Sequence, residues 1–202
     1  SIVNYVDLLK KEDLPEQAAE YVTVLDRQSG RLKKLTEDLV EASKASTGNI
    51  PVALQPIVVN EIIHQAVGDY DQRLTAGKIE VIINTFEGSL SAMADGRLLW
   101  RVLDNLLSNV CKYAMPGSRL YIDLTTQGSR VALSMKNISR DALNVSADEL
   151  MERFVRGDSS RHAEGSGLGL NIAKSLMELM GGTFGIAVDG DLFKAELTLP
   201  LA

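Results

Sequence analysis

The longest unbroken pattern in this chain is helical. From Glu16 to Ala45 there is no proline and one glycine, Gly30, while Val22, Leu25, Leu32, Leu35, Leu39 and Ala42 advance by three, four or seven residues. That spacing is the seam of a helix bundle. Arg27, Arg31, Lys34, Glu37 and Glu41 take the opposite face. Pro15 suits the first turn of this helix, and Ile2, Val3, Val6, Leu8 and Leu9 form a second helical pattern before it. Two helices alone bury such a seam poorly, so the pattern predicts a dimer whose hairpins make a four-helix bundle. The competing arrangement is a hairpin that packs on its own downstream domain.

Ser46-Thr47-Gly48-Asn49-Ile50-Pro51 breaks the helix and sets the expected boundary between a helical domain, 1–47, and a second domain, 48–202. There the texture changes. Pro56-Ile57-Val58-Val59 reads as a short strand, Asn60 as an N-cap with Glu61 in the first turn, and a helix runs to about Thr75. Strands follow near 79–84 and 91–94. A helix near 96–114 carries its apolar stripe on Leu99, Val102, Leu103, Leu106, Leu107 and Val110. Tyr121–Thr126 and Arg130–Lys136 read as a hairpin around Gln127-Gly128-Ser129. A short helix near 147–153 follows, then a helix over Gly169–Met180 that Gly181-Gly182 ends. Strands near 183–188 and 191–199 meet at Asp189-Gly190, a hairpin turn signal. Strands in hairpins and helices apart from them give an α+β layout: a mixed, mostly antiparallel sheet covered on one face by helices.

Composition narrows the possible functions. The chain has 202 residues, 45% hydrophobic and 24% charged, an ordinary globular balance. Its net charge of −6 argues against a nucleic-acid partner held by a general basic field. A single cysteine, Cys111, rules out an intrachain disulfide, and its place in an apolar helix favours a buried thiol. No apolar run approaches the roughly 20 residues of a membrane span. The chain opens at Ser1 already inside a helical pattern, which reads as a fragment of something longer.

The chemistry concentrates on two segments. In the helix near 96–114, Asn105 and Asn109 are four residues apart and share a face, with Lys112 about one turn on. Two amides and an ammonium beside a buried stripe suit a magnesium-bound polyphosphate, an amide oxygen for the hard cation and an ammonium for the phosphates. The second segment is Glu164-Gly165-Ser166-Gly167-Leu168-Gly169-Leu170-Asn171. Its glycines let backbone N–H groups point at a ligand, and the helix beginning at Gly169 adds its positive end. It is neither a P-loop, lacking the Lys-Ser/Thr, nor a dinucleotide fingerprint. Read alone, such a cluster is equally a plain loop. Between the two lies Glu152–Ala163, polar with Phe154 as an anchor, in the manner of a lid. Its Arg156 and Arg161 can reach phosphates or simply face solvent. Asn137, at the end of a strand, can accept a hydrogen bond from an exocyclic amine, or be a turn residue. His64, in an amphipathic helix, and His162, in the lid, read as structural and surface residues rather than catalytic ones.

Together and in this order, these pieces resemble the catalytic and ATP-binding domain of bacterial sensor histidine kinases, which share a superfamily with gyrase, Hsp90 and MutL. Asp104–Tyr113 resembles the family's N box, Val131–Ser139 its first glycine box, Glu152–Arg161 its F box, and Gly165–Leu170 its second glycine box. The resemblance covers about residues 57–200 and implies the Bergerat-type ATP-binding fold with ATP and Mg²⁺ as ligands. Carried over by position, it implies that Asn109 ligates Mg²⁺, that Asn105 and Lys112 face the phosphates, and that Tyr113 packs near adenine. It further implies that Asn137 takes the adenine amine, Phe154 seats the lid, Arg156 and Arg161 reach the nucleotide, and Gly165, Ser166, Gly167, Leu168, Gly169 and Leu170 wrap the phosphates. One departure stands out. The first glycine box is usually Asp-x-Gly-x-Gly, and here it is Asn137-Ile138-Ser139-Arg140-Asp141, without glycine.

Residues 1–47 resemble the dimerisation and phosphotransfer hairpin of the same enzymes. By that likeness the phosphoacceptor histidine is expected upstream of Ser1, and neither His64 nor His162 has the right context to replace it. The resemblance implies a protein-histidine kinase, a homodimer through the N-terminal helices, a response-regulator receiver domain as partner, and a cytoplasmic position under a parent anchored in the bacterial membrane by segments outside this chain. Two other functions compete: an ATP-hydrolysing clamp of the same superfamily, and a non-catalytic nucleotide-binding dimer module. In the hydrolases the position of Asn105 is typically a Glu that acts as base toward water. A carboxamide cannot accept that proton, so Asn105 favours transfer to a neutral imidazole.

Overall fold

The computed structural model describes residues 2–12, 14–85, 88–143, 146–151 and 167–202. It opens with two helices, α1 (Ile2–Leu9) and α2 (Glu16–Ser46). Pro15 stands one position before the helix, as its cap, where its missing N–H costs nothing. The hairpin closes over Val6 and Val22, and Lys10 pairs with Asp26 at 2.7 Å.

The predicted seam divides between two surroundings. Ala42, together with Ala45, joins the core of the downstream domain. Leu25, Leu32 and Leu39 stay 50%, 55% and 51% exposed. Both sequence-derived arrangements therefore have a physical basis: α2 leans on its own chain at its C-terminal end and leaves an uncovered apolar stripe along its length.

The rest follows the order β1 (Gln55–Val58), α3 (Val59–Ala76), β2 (Glu80–Asn84), β3 (Ser91–Ala94), α4 (Gly96–Tyr113), β4 (Arg119–Gln127), β5 (Arg130–Ile138), α5 (Ala147–Met151), α6 (Gly169–Leu179), β6 (Thr183–Asp189) and β7 (Leu192–Pro200). The main sheet has the order β2-β4-β5-β7-β6, with β2 parallel to β4 and every other pair antiparallel. β1 and β3 form a separate antiparallel pair, tied to the end of the main sheet by an isolated bridge between Ala92 and Leu201. Among the described residues no helix is long and apolar enough to cross a membrane.

Alternation along the strands builds the two layers. Leu120, Ile122 and Leu124 of β4, Val131, Leu133 and Met135 of β5, and Ala195, Leu197 and Leu199 of β7 are buried against Leu99, Leu103 and Leu106 of α4 and Ile172, Leu176 and Met177 of α6. The intervening residues Tyr121, Asp123, Lys136, Lys194 and Glu196 face the other way, and Asp123 accepts a 2.7 Å contact from Lys136. Each fully buried leucine on α4 contributes roughly 1.5–3 kcal/mol.

One local expectation fails. Asn60 does not cap α3, which starts at Val59 after Val58. Its amide instead accepts from the Leu90 N–H at 2.8 Å and donates to the Gly88 carbonyl, pinning the loop before β3. The real cap is at the next helix, where Asp95 accepts from the N–H of Arg97 at 3.0 Å. Asp95 also accepts from the N–H of Ala53, so it closes two segments at once.

Candidate functional site

The asparagine helix forms almost as its sequence predicts, over Gly96–Tyr113. Its apolar stripe is fully inside, and Asn105 is drawn in beside it at 9% exposure. The amide Nδ2 of Asn105 is buried with no hydrogen-bond partner among the described residues. A buried amide donor left unpaired costs about 1–3 kcal/mol, a cost that a polar ligand would remove.

The start of α6 lies against this amide. A β-carbon at Gly169 would stand 3.3 Å from Asn105 Oδ1. Gly167 has φ +71, a left-handed conformation open mainly to glycine. Leu168 between them is 1% exposed and packs in the core. Its side chain anchors the turn, and what it can offer a ligand is backbone. Leu170 is also packed against the core. Asn171, in the first turn of α6, is a second, partly buried amide. Its Nδ2 donates to the Met151 carbonyl at 3.4 Å while its Oδ1 has no partner among the described residues.

The far end of α4 is stitched to the end of β5. Met115 N–H donates to the Ile138 carbonyl at 2.9 Å, Arg140 N–H donates to the Tyr113 carbonyl at 2.8 Å, and Ala114 bridges Ser139. Ser139 and Asn137 are buried. Asn137 follows the inward set of β5 and donates weakly to the Ile138 carbonyl, at 3.3 Å. The glycine-free stretch 137–141 is thus held by backbone pairing to the asparagine helix, and Tyr113 and Asn137 come to the same end of the fold. The fold brings together Asn105, Gly167 and Gly169 at one end of the site, and Tyr113 and Asn137 at the other, with Asn109 on the helix between. Phe154, Arg156, Arg161, His162, Gly165 and Ser166 lie outside the described residues.

Lys112 is half-buried, and burial followed by the neighbouring Arg73 pushes its ammonium below the usual lysine range. Asp38 and Asp104 oppose that shift, so its electrostatic neighbours among the described residues lie on α2, α3 and α4. Cys111 is only half-buried, less than its apolar context predicted, and burial raises its thiol. His64 is exposed on α3.

A polar junction with little signature in the local sequence sits one turn before Asn105. Arg101 donates from Nε and Nη2 to both carboxylate oxygens of Glu41, from Nη2 to Asp38 at 3.2 Å and from Nη1 to Asp104 at 2.6 Å. Asp104 also accepts from the Tyr70 hydroxyl at 2.6 Å. Burial first, and then this carboxylate, pushes the Tyr70 phenol far above its ordinary value. Only the i,i+3 pair Arg101–Asp104 was visible locally; the partners on α2 are about sixty positions away.

Among the described residues no group of three or more His, Cys, Asp or Glu side chains gathers to hold a metal. Beyond the Asp104 carboxylate, which Tyr70 and Arg101 engage, α4 offers the amide oxygens of Asn105 and Asn109, which suit Mg²⁺ when phosphates complete its coordination. The orphaned Asn105 amide and the backbone cradle at Gly167 and Gly169 fit a nucleotide polyphosphate.

Known proteins similar to this chain are consistent in kind. Sensor protein IrlS of Burkholderia pseudomallei is 28% identical over 177 residues, covering 85% of this chain and 38% of the relative. Sensor histidine kinase HprS of Escherichia coli K12 is 32% identical, covering 75% of this chain and 33% of the relative. The chain thus spans about a third of the length of these curated relatives. Among solved structures, full-length ShkA in complex with AMPPNP superposes with a TM-score of 0.83 at 23% identity, over 100% of this chain and 42% of that one. Histidine kinase ThkA in complex with response regulator protein TrrA gives 0.71 at 18% identity, over 100% and 57%. These likenesses establish the fold, the Bergerat-type fold that the solved histidine kinase catalytic domains also have. The family described as histidine kinase-, DNA gyrase B-, and HSP90-like ATPase matches residues 94–202, more than half of the sequence and all of the described site. This chain belongs to that family.

Proposed function

We propose that the chain is the kinase core of a two-component sensor, which binds MgATP on the face shared by α4, α6 and the end of β5 and passes the γ-phosphoryl group to a histidine. The observation that carries this reading is the buried, unpaired amide of Asn105 against a glycine, Gly169, that leaves it room. The division into a helical domain, 1–47, and an ATP-binding domain, 48–202, goes with it.

The roles follow from donor chemistry. The buried carboxamide oxygen of Asn137 can accept from the adenine amine, although it is neutral where the family has a carboxylate. Tyr113 packs beside the base. Backbone N–H groups at Gly167 and Gly169, with the N-terminus of α6, favour the phosphate charge, and the Lys112 ammonium adds to it. Asn109 would hold Mg²⁺ through its amide oxygen, and the metal would screen the phosphate charge. Asn105 is a donor and orienter rather than a base, because a carboxamide has no proton-accepting site at neutral pH. That suits an acceptor that is already a nucleophile. A neutral imidazole nitrogen forms the N–P bond with the γ-phosphorus, and the bond to the β,γ-bridging oxygen breaks, leaving its electron pair on ADP.

The partners follow from surfaces and likeness. The exposed Leu25, Leu32 and Leu39 stripe on α2, with Ile2, Tyr5 and Leu8 exposed on α1, suits a second copy of the hairpin. The ThkA complex supports a receiver domain as the next acceptor. The sensor proteins among the relatives support a cytoplasmic core under a membrane-anchored parent.

Incubating the full-length protein with γ-labelled ATP tests the reading. We expect a protein-bound label that is lost in acid and kept in base, as phosphohistidine is. Release of labelled phosphate with no label on the protein would favour hydrolysis and overturn the proposal.

A further inference from the structure

We infer that Arg101 is a positioning residue that clasps helix α2 to the nucleotide helix α4, and so fixes how the bundle is presented to the phosphoryl donor. The inference rests on the nucleotide reading of α4 given above.

The junction joins two helices through one guanidinium, and a third, α3, through the Tyr70 hydroxyl. Arg101 faces three carboxylates: Asp38 and Glu41 from α2, and Asp104 from its own helix. The fork to Glu41 uses Nε and Nη2, both at 3.1 Å or less, which is the geometry that a guanidinium provides and an ammonium does not. Asp38 is buried, and Lys34 on the same helix also stands 3.2 Å from it. Asp104 is fixed from behind by the Tyr70 hydroxyl, and Arg73 lies over the Tyr70 ring at 4.8 Å. Removing the Arg101 charge would leave three carboxylates close together and poorly solvated, and a buried charge stripped of its partner is strongly disfavoured.

Location gives this contact its consequence. Arg101 is one turn before Asn105, and Lys112 on the same helix feels Asp38 and Lys34 of α2. The helix that presents its outer apolar stripe to solvent is therefore locked, on its inner side, to the helix that carries the amides. Transfer needs the donor phosphorus and the acceptor nitrogen held in line, and errors of about 1 Å can cost on the order of 100-fold in rate. A clasp at this point changes alignment rather than nucleotide affinity.

The test compares Arg101→Gln with the double variant Asp38→Asn/Glu41→Gln in the full-length protein. The expected result is a fall of about tenfold or more in kcat for phosphohistidine formation, with KM for ATP within about twofold of wild type. The two variants should lose similar amounts, and combining them should add little, as for groups that act as a unit. Arg101→Lys should not restore the rate. A rise in KM with kcat unchanged would make Arg101 a nucleotide-binding residue and overturn the inference, as would a rate equal to or above wild type. Nitroxide pairs at Lys33 on α2 and Gln127 on β4 supply a readout independent of catalysis. The distance distribution should be narrow in the parent and broad in either variant, and a narrow distribution in both variants would overturn the clasp. If the parent forms no phosphohistidine yet the distances broaden, the kinase reading fails and the clasp stands.

Discussion

Gly169 faces Asn105 so closely that a β-carbon at 169 would stand 3.3 Å from Oδ1 of the amide. The first residue of α6 therefore sets where the middle of α4 can hold its carboxamide. Gly169→Ala is expected to displace that amide by a few tenths of an ångström. Loss of one hydrogen bond of ordinary strength would weaken MgATP binding by up to about tenfold. Calorimetric titration of the variant measures it, and an unchanged affinity would mean that Asn105 does not face the ligand.

Gly182 offers a contrast, because its restriction is structural. A β-carbon there would lie 2.5 Å from the Thr198 carbonyl oxygen and 2.9 Å from Met177 Cε, where α6 turns into β6. Gly182→Ala should cost about 1–3 kcal/mol of stability, read as a lower urea midpoint. Its folded fraction should still bind nucleotide with parental affinity, which separates it from Gly169→Ala.

Much of this was legible in the sequence, for physical reasons that also mark the failures. The helix over Gly96–Tyr113 has a strong apolar stripe, and both hairpins turn at Gly128 and Gly190, each with positive φ. Local period and turn chemistry suffice for these. Asn60 looked like a cap because its neighbours suit one, but tertiary contact with the loop at Gly88 and Leu90 claimed its side chain. The parallel pairing of β2 with β4 and the separate β1–β3 pair depend on contacts that no window contains. The same holds for Arg101 with Glu41. In the site itself, the amides and glycines were readable by type and spacing. That Leu168 anchors the core and that Asn171 Oδ1 is a second buried amide atom without a partner among the described residues became visible only in three dimensions.

Acid should probe the cap at Asp95. Burial opposes ionisation, but hydrogen bonds from the Arg97 side chain, the Ala53 N–H and the Arg97 N–H outweigh it and hold the carboxyl at about 2, against 3.8 when unperturbed. A folded-state value below the unfolded one stabilises the protein above about pH 4, and that contribution is lost as pH falls towards 2. Asp95→Ala should cost about 0.5–2 kcal/mol near neutral pH, and the gap to the parent should shrink in urea melts carried out at progressively lower pH. A gap that stays constant down to pH 2 would show that the carboxylate charge does not matter.

The uncovered stripe on α2 predicts association. Leu32→Glu, with Leu25→Glu beside it, should shift the chain from dimer to monomer in sedimentation equilibrium while leaving the helical circular dichroism unchanged. Both residues are solvent-exposed in the single chain, so the substitutions should change its stability by no more than about 0.5 kcal/mol. A parent that is monomeric at tens of micromolar would contradict the dimer.

The most direct test of the central claim is a calorimetric titration of this chain with ATP, with and without Mg²⁺, in the parent and in Asn109→Ala. Saturable binding is expected at sub-millimolar nucleotide, strengthened by Mg²⁺ in the parent, with most of that strengthening lost in the variant. No binding of MgATP at millimolar concentration, or a metal dependence unchanged by Asn109→Ala, would contradict it.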